Sequence, residues 1–267
     1  METPNGSSSA MPSPAQPAAP SLMESIKKDW SELSGELWSK KEYIAKAAVV
    51  AGAFWLVQFA YQYFVLVPGE LNGALVRSFA LSGATLIGLA LCIGPIAYLK
   101  PEWNFVEYRR TVGVSGFFLV YMHVFAVISA YFGGNPLAIY FELNPFKNPI
   151  IFGSAALWVF VALMLTSTDW AVSKLGFRNW KALHRLIYPA FVLSVLHFTQ
   201  INPELLYNPA GYLLLAASLA AMGFQLAGFA KKVQSGKAGA GTWIGGAFTI
   251  AALALLAIAF FFKNNVA

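Results

Sequence analysis

The sequence predicts an all-α fold, a polytopic membrane helix bundle of about seven transmembrane helices with the N-terminus in the cytoplasm. Three observations predict it. The 267 residues are 58% hydrophobic and only 11% charged, whereas about a quarter of the residues in a soluble domain are charged. Apolar stretches of bilayer-spanning length recur along the chain. Lysines and arginines gather in alternate connections between those stretches.

Each apolar stretch is close to the ~20 residues that an α-helix needs to cross a bilayer. The predicted spans are 44–67, 76–98, 111–132, 149–167, 182–201, 210–230 and 243–262. The pattern predicts a multi-pass protein of the cell inner (plasma) membrane, with lipid as the partner that surrounds it.

The orientation follows from the basic residues between the spans. Fifteen lysines and arginines fall in the N-terminal segment and in the second, fourth and sixth connections, against three in the others. Because basic connections stay on the cytoplasmic side, this split predicts that the N-terminus lies inside and the C-terminus outside.

The two ends of the chain differ in composition from the middle. Residues 1–21 are rich in serine, proline and alanine and are predicted to be a disordered tail. Residues 22–42 predict an amphipathic helix on the membrane surface, although a short soluble helix fits equally well. Its apolar stripe consists of Leu22, Ile26, Trp30, Leu33 and Leu37. Residues 43–201 make up the core of the bundle, and residues 202–267 add two transmembrane helices.

Composition also excludes some classes of protein. The single cysteine, Cys92, excludes an internal disulfide and a cysteine-ligated metal cluster. The net charge of +6 does not indicate nucleic-acid binding, because the charges lie between apolar spans.

A stripe on the third span carries candidate cofactor contacts. Its members follow one another at steps of 4, 3, 4 and 3 and therefore share one helical face. They are Arg109, Gly113, Gly116, Val120 and His123. The two glycines beneath a histidine predict a groove where a flat ligand lies against the backbone.

The other two histidines, His184 and His197, stand 13 residues apart on the fifth span, about 20 Å along a helix. Two helices with two ligand positions each predict a frame for two haems, since neutral imidazole is a good iron ligand. A hydrogen bond to a neighbouring helix is the alternative role for any one membrane histidine. An ideal helix would turn His184 and His197 to different faces, but Pro189 between them is expected to kink it.

Several motifs in order give the chain a family resemblance. They are Arg109-Arg110-x-x-Gly113, His123, Leu165-Thr166-Ser167-Thr168, Lys174-Leu175-Gly176, Trp180-Lys181-x-Leu183-His184-Arg185-Leu186-Ile187-Tyr188 and His197. With these motifs the chain between residues 76 and 201 resembles the ferric reductase-like transmembrane family, and in particular the haem-binding membrane subunits of periplasmic methionine sulfoxide reductase systems.

The resemblance implies a transmembrane electron carrier with one or two b-type haems. It implies that His123 and His197 ligate the iron of the outer haem and that His184 ligates that of the inner haem. Arg109 stands where related oxidases have a fourth histidine. It is open to three roles: holding a haem propionate, ligating weakly, or leaving the inner haem five-coordinate. Tyr188, one turn after His184, is a further candidate haem contact, and a packing role is its alternative.

The implied donor is a cytoplasmic flavin reductase or quinol, and the implied acceptor is a periplasmic molybdenum-cofactor enzyme that reduces methionine sulfoxide. FMN is a further candidate cofactor, although no motif supports it. No flavin or NAD(P)H domain is recognised, so we interpret the chain as an electron-transfer subunit of an oxidoreductase system. A ferric or other metal reductase, and a membrane protein without redox chemistry, remain alternatives.

Overall fold

A computed structural model describes residues 21–103, 105–201 and 208–266, without the side chains of residues 258–266. The predicted disordered tail therefore lies outside the described residues, apart from Ser21. Within the described ranges the regular structure is entirely helical. In chain order the helices are α1 (Leu22–Ser39), α2 (Lys41–Tyr61), α3 (Leu71–Leu99), α4 (Val106–Tyr131), α5 (Ile150–Leu165), α6 (Asp169–Leu175), α7 (Phe177–His184), α8 (Ile187–Ile201), α9 (Pro209–Gln234) and α10 (Ala240–Val266).

The chain is a multi-pass membrane protein. Six helical spans in the described ranges are long and apolar enough to cross a membrane: α2 with its π-helical extension to Leu66, α3, α4, α7 with α8, α9 and α10. The predicted fourth span is α5, which with α6 forms a pair bent by 92° and brings the number to as many as seven. Each predicted span thus coincides with a helix.

Helix α1 faces the rest of the protein with its polar side, whereas an amphipathic helix of a soluble protein faces the core with its apolar side. It begins at a capping box in which Ser21 and Glu24 satisfy each other's backbone N–H groups. Its apolar stripe points outward, with Leu22 78% and Trp30 70% exposed. Its partly buried residues are mostly polar, because the side that includes Asp29 and Glu36 faces the rest of the protein.

Helices α3 and α4 pack antiparallel at a distance that only glycine permits. A Cβ atom added to Gly83 would lie 2.9 Å from the Gly116 carbonyl oxygen and 2.8 Å from the Val120 nitrogen. A Cβ atom on Gly116 would likewise lie 2.9 Å from the Gly83 carbonyl oxygen. Small residues at helix interfaces are the usual basis of association in lipid, where burial of apolar surface adds little.

The fifth predicted span is broken between α7 and α8. Helix α7 ends at His184 and α8 begins at Ile187, so Pro189 lies in the first turn of α8. Proline is tolerated there because the N–H groups of a first turn have no intrahelical acceptor. The break expected near Pro189 lies just before that residue, and it separates α7, which carries His184, from α8, which carries His197.

The last two helices belong to the same bundle. Helix α9 packs against α3, and Gln225 donates from Nε2 to the Leu91 carbonyl oxygen at 3.2 Å. Helix α10 packs against α8 and α9. The largest buried cluster joins α3, α4, α5, α8 and α9, with Leu91, Phe117 and Phe160 among its members.

One end of the bundle, which we call the basic end, collects the lysine- and arginine-rich connections. Arg110 at the start of α4 contacts Asp169 at the start of α6, and Lys231 near the end of α9 donates to the Tyr98 carbonyl oxygen at the end of α3. Arg185 packs on Gly241 at the start of α10. The helix ends predicted to share one side of the membrane are therefore together.

Candidate functional site

The predicted stripe on α4 is a single face, and that face lies against α3. The Arg109 guanidinium lies 3.1 Å from the Cβ position of Gly94, and Ala90 lies 3.6 Å from that of Gly113. His123 reaches the Val76 carbonyl oxygen, two turns into α3 from the end opposite the basic end.

This packing changes the interpretation of the two glycines. Gly116 makes backbone contact with Gly83, and Gly113 makes ordinary contact with Ala90, so both face a neighbouring helix. The predicted groove for a flat ligand along this face is therefore closed by α3. The physical reason is that glycine allows two helix backbones to approach each other just as readily as it allows a ligand to approach one.

His123 is oriented by a backbone carbonyl. Its Nδ1 lies 3.0 Å from the Val76 carbonyl oxygen, an acceptor only, so Nδ1 carries the proton and donates. The neutral ring then has its lone pair on Nε2. The ring is partly exposed although α4 runs through the bundle.

His197 repeats this arrangement on α8. Its Nδ1 lies 3.0 Å from the carbonyl oxygen of Pro149, which immediately precedes α5, so Nδ1 again donates and Nε2 keeps the lone pair. The ring lies on Gly153, one turn into α5, where an added Cβ atom would come within 2.9 Å of Nδ1. Like His123, the ring is partly exposed.

The two histidine-bearing helices do not pack on each other. In the described part of the chain, α8 packs on α5 and α10, and α4 packs on α3, with no substantial α4–α8 interface. Val76 and Pro149 lie near the helix ends away from the basic end, so His123 and His197 are at a similar depth. Within the described ranges no three histidine, cysteine or carboxylate side chains converge on one metal position, so the three histidines do not form a shared metal cluster.

His184 lies near the basic end and has different partners. Its Nε2 lies 3.1 Å from Thr166 Oγ1, and the same hydroxyl donates to the Ala162 carbonyl oxygen at 2.8 Å. We therefore assign Nε2 as the donor and Nδ1 as the atom with the lone pair. Trp180 stacks near the ring at 4.2 Å between centroids, and its indole N–H donates to the Thr166 carbonyl oxygen at 2.8 Å. We call Thr166, Trp180 and His184 the elbow cluster.

Arg109 and Tyr188 complete the set of predicted contacts. Arg109 is at the basic end, is exposed on one side and makes no ion pair in the described ranges. The Tyr188 hydroxyl donates to Gln225 Oε1 at 3.3 Å, and its ring packs against Gly245 and Phe229. The structure thus directs Tyr188 towards α9 and α10 rather than towards His184.

Comparison with known proteins identifies the family of the chain. A model of the ferric reductase like transmembrane component matches residues 77–195. The protein-methionine-sulfoxide reductase heme-binding subunit MsrQ of Rhodospirillum rubrum is 35% identical over 196 residues, which are 69% of this chain and 92% of that protein. The chain belongs to the MsrQ family of ferric reductase-like membrane proteins. MsrQ of Brucella ovis is 30% identical over 169 residues, 61% of this chain and 74% of that protein. No solved structure matches the chain.

The matched family segment contains every residue singled out on the third and fifth spans except His197, which follows it by two positions. The partners that orient the rings were not predicted. Val76 and Pro149 contribute backbone oxygens, which leave no mark in a sequence, and Gly153 looks like any other glycine of an apolar span. Thr166 was recognised as part of a family motif at the end of the fourth span, but not as a partner of His184.

Proposed function

We propose that this protein is a membrane electron-transfer subunit that holds b-type haem between α4 and α8, with His123 and His197 as axial ligands. The single observation that carries the proposal is the matched pair of Nδ1 hydrogen bonds, each 3.0 Å long and each to a backbone carbonyl. A histidine that donates its Nδ1 proton to a carbonyl presents Nε2 as a metal ligand and is made more basic.

The surroundings of the two rings also fit a haem. The helices that carry them have no substantial interface with each other in the described ranges, and both histidine residues are only partly buried. Gly153 lets the His197 ring lie flat on α5, which fixes the ring plane as well as the tautomer. The heme-binding function in the printed names of the MsrQ relatives supports the same assignment.

A second haem at the basic end would use His184, with Arg109 near a propionate. His184 Nδ1 is the free atom in the observed arrangement, so ligation through Nε2 requires the ring to leave Thr166. Arg109 has no carboxylate partner in the described ranges, which suits a cation that pairs with an anionic group. Tyr188 has its own partners on α9 and α10, so we leave it out of this site.

Haem, when bound, supplies one-electron chemistry by cycling between ferric and ferrous iron. The chain contributes the rest. His123 and His197 hold their rings at one depth, and the Val76 and Pro149 carbonyls keep those rings from rotating. The buried apolar cluster that joins α4, α5 and α8, with Phe117 among its members, would exclude water from the interior between these helices.

Electrons would pass from the basic end to the opposite end. We assign the basic end to the cytoplasm by the positive-inside rule, with a flavin reductase or quinol as donor and a periplasmic methionine sulfoxide reductase as acceptor. The lysines and arginines around α7 would attract an acidic donor. An alkaline phosphatase fused to the C-terminus is expected to be active, and an inactive fusion beside an active cytoplasmic reporter would reverse the orientation.

Haem content and redox spectra of the purified protein test the proposal. The wild type is expected to show a Soret band that shifts on reduction, and His123→Ala and His197→Ala are each expected to lose the haem held between α4 and α8. Thr199→Ala is the matched control, because among the described residues this hydroxyl on α8 bonds only back to the Leu196 carbonyl. Wild-type haem content in both histidine variants would rule out this ligand pair.

A ferric reductase is the second candidate, favoured by the family model that matches residues 77–195. The two functions share the haem and differ in the acceptor. Rates of reoxidation of the reduced protein by a chelated ferric salt and by a periplasmic methionine sulfoxide reductase would separate them.

A further inference from the structure

One carboxylate joins α1 to the bend between α5 and α6. Glu36 accepts the Asp169 N–H on Oε1 at 2.8 Å and the Trp170 N–H on Oε2 at 2.9 Å. These N–H groups belong to the first turn of α6 and have no acceptor within that helix. The Glu36 side chain is only 14% exposed, so water competes weakly for the two bonds.

Three further charges extend this contact. Lys40 lies 3.0 Å from Glu36 and 2.7 Å from Asp169, and Arg110 of α4 lies 2.6 Å from Asp169. We call Glu36, Lys40, Arg110 and Asp169 the clamp. It connects the end of α1, the start of α4 and the start of α6, which are far apart in sequence. A second ion pair joins the same two helices at another point. Lys174 of α6 lies 2.6 Å from Asp29 of α1.

The clamp is three residues from the elbow cluster. Asp169 follows Thr166, whose hydroxyl meets His184 and whose carbonyl accepts from Trp180. Thr168 between them is fixed as well, since its hydroxyl accepts the Ala171 N–H at 3.1 Å. A displacement of the first turn of α6 would therefore move Thr166 and release the His184 ring.

We propose that Glu36 is a positioning residue for His184, acting through the first turn of α6 and through Thr166. The redox role of His184 rests on the proposed function, whereas the mechanical link does not. Helix α1 precedes residues 77–195, so this gives the N-terminal segment a task that the matched family segment does not contain.

Hydrogen exchange on the full-length protein in phospholipid nanodiscs tests the link without reference to haem. Glu36→Gln keeps the side-chain shape but loses the charge and one acceptor oxygen, and we expect about tenfold or faster exchange at the Asp169 and Trp170 amides. The amides of α7, which carries Trp180 and His184, should also exchange faster in this variant. Glu32→Gln, one turn earlier on α1, is the control, because the Glu32 carboxylate makes no hydrogen bond within the described residues and should leave both segments unchanged.

Two outcomes would overturn the proposal. One is exchange in Glu36→Gln that equals that of Glu32→Gln, which would mean that the carboxylate does not hold α6. The other is faster exchange confined to α6 with α7 unchanged, which would mean that the bend does not position His184.

Haem spectra separate this result from the proposed function. If His184 binds haem, the difference spectrum of Glu36→Gln against wild type should have the shape of that of His184→Ala at smaller amplitude. A His184→Ala variant with an unchanged spectrum would remove the redox role of His184, while the exchange result would still decide whether Glu36 positions it. An altered His184→Ala spectrum with an unchanged Glu36→Gln spectrum would refute the positioning role.

Discussion

Replacing Gly153 with alanine tests whether α5 fixes the His197 ring. The added Cβ atom would lie 2.9 Å from Nδ1, 3.0 Å from Cε1 and 3.0 Å from Cγ, all below the 3.4 Å at which ordinary contact begins. Three ring atoms are approached together, so rotation about the ring axis cannot relieve the contact. The ring must move away by about 0.4 Å or more, or α5 and α8 must separate.

The displacement acts on the bond that orients the imidazole. The Nδ1 hydrogen bond to Pro149 is 3.0 Å long, and a shift of this size takes it to the edge of the bonding range. Overpacking of this kind costs typically ~1–3 kcal/mol, which corresponds to about 5- to 150-fold weaker haem binding if the whole cost falls on the bound state.

Haem per chain, the reduced-minus-oxidised spectrum and the midpoint potential of the purified protein measure the effect. Gly52→Ala and Gly223→Ala are matched controls, because both glycines are helical and a Cβ atom on either meets nothing within 4 Å. Monodisperse size exclusion establishes that each variant is folded. A folded Gly153→Ala protein with wild-type haem content and potential would refute the idea that α5 holds this ring.

Two further changes test other contacts. Gly116→Ala should force α3 and α4 apart, at a cost of ~1–3 kcal/mol, and should lower the melting temperature of the purified protein. Gly113→Ala should leave the melting temperature unchanged, because the nearest atom to its added Cβ is 3.6 Å away. Equal melting temperatures of the two variants would contradict the packing argument. The clamp should respond to acid. Burial raises the pKa of Glu36, but the α6 N–H groups and Lys40 outweigh burial and hold this pKa below its ordinary value. Lys40 and Arg110 lower the pKa of Asp169. Carboxylates with lowered pKa stabilise the folded state above their ordinary pKa, so α1 docking should be constant from pH 6 to 8 and weaken below about pH 4. Distances between spin labels at positions 34 and 173 report it, and α1 release near neutral pH would contradict the assignment.

The bundle could be predicted from the sequence because lipid imposes strong constraints. A membrane helix must satisfy its own backbone hydrogen bonds over the full bilayer thickness, so length and apolarity suffice to locate it. The fourth span shows where this rule weakens, because α5 ends after 16 residues and the chain bends by 92° into α6. Nothing in the apolar pattern of 149–167 marks that bend, although Thr168 caps α6 as a threonine often does.

The sequence predicts candidate site residues, but the contacts that hold those residues in place could be obtained only from the structure. The steps between Arg109 and His123 placed these residues on one face, and the structure confirms the common face. The direction of that face could not be obtained from α4 alone, because it depends on Gly83 of α3 meeting Gly116. Periodicity identifies which residues share a side of a helix, whereas the neighbour on that side is set by long-range packing.

The direction in which the polar side of α1 faces could also be obtained only from the structure. The stripe that begins at Leu22 predicts an amphipathic helix on the membrane surface, and the structure has a helix over Leu22–Ser39. An apolar stripe is equally compatible with burial against protein or lipid. Only the pairing of Glu36 with α6 shows that the polar side is the inner one.

The backbone contact between Gly83 and Gly116 has a consequence for how charge would move through the molecule. His123 is part of α4 and is hydrogen-bonded to α3, and at Gly83 and Gly116 those two helices meet backbone to backbone. If His123 ligates haem iron as proposed, a change of the iron oxidation state would meet a stiff surface on this side, and few atoms would need to shift when an electron arrives or departs. Stiffness of this kind lowers the reorganisation energy of electron transfer, so the same glycines that set the helix spacing would also favour rapid redox exchange.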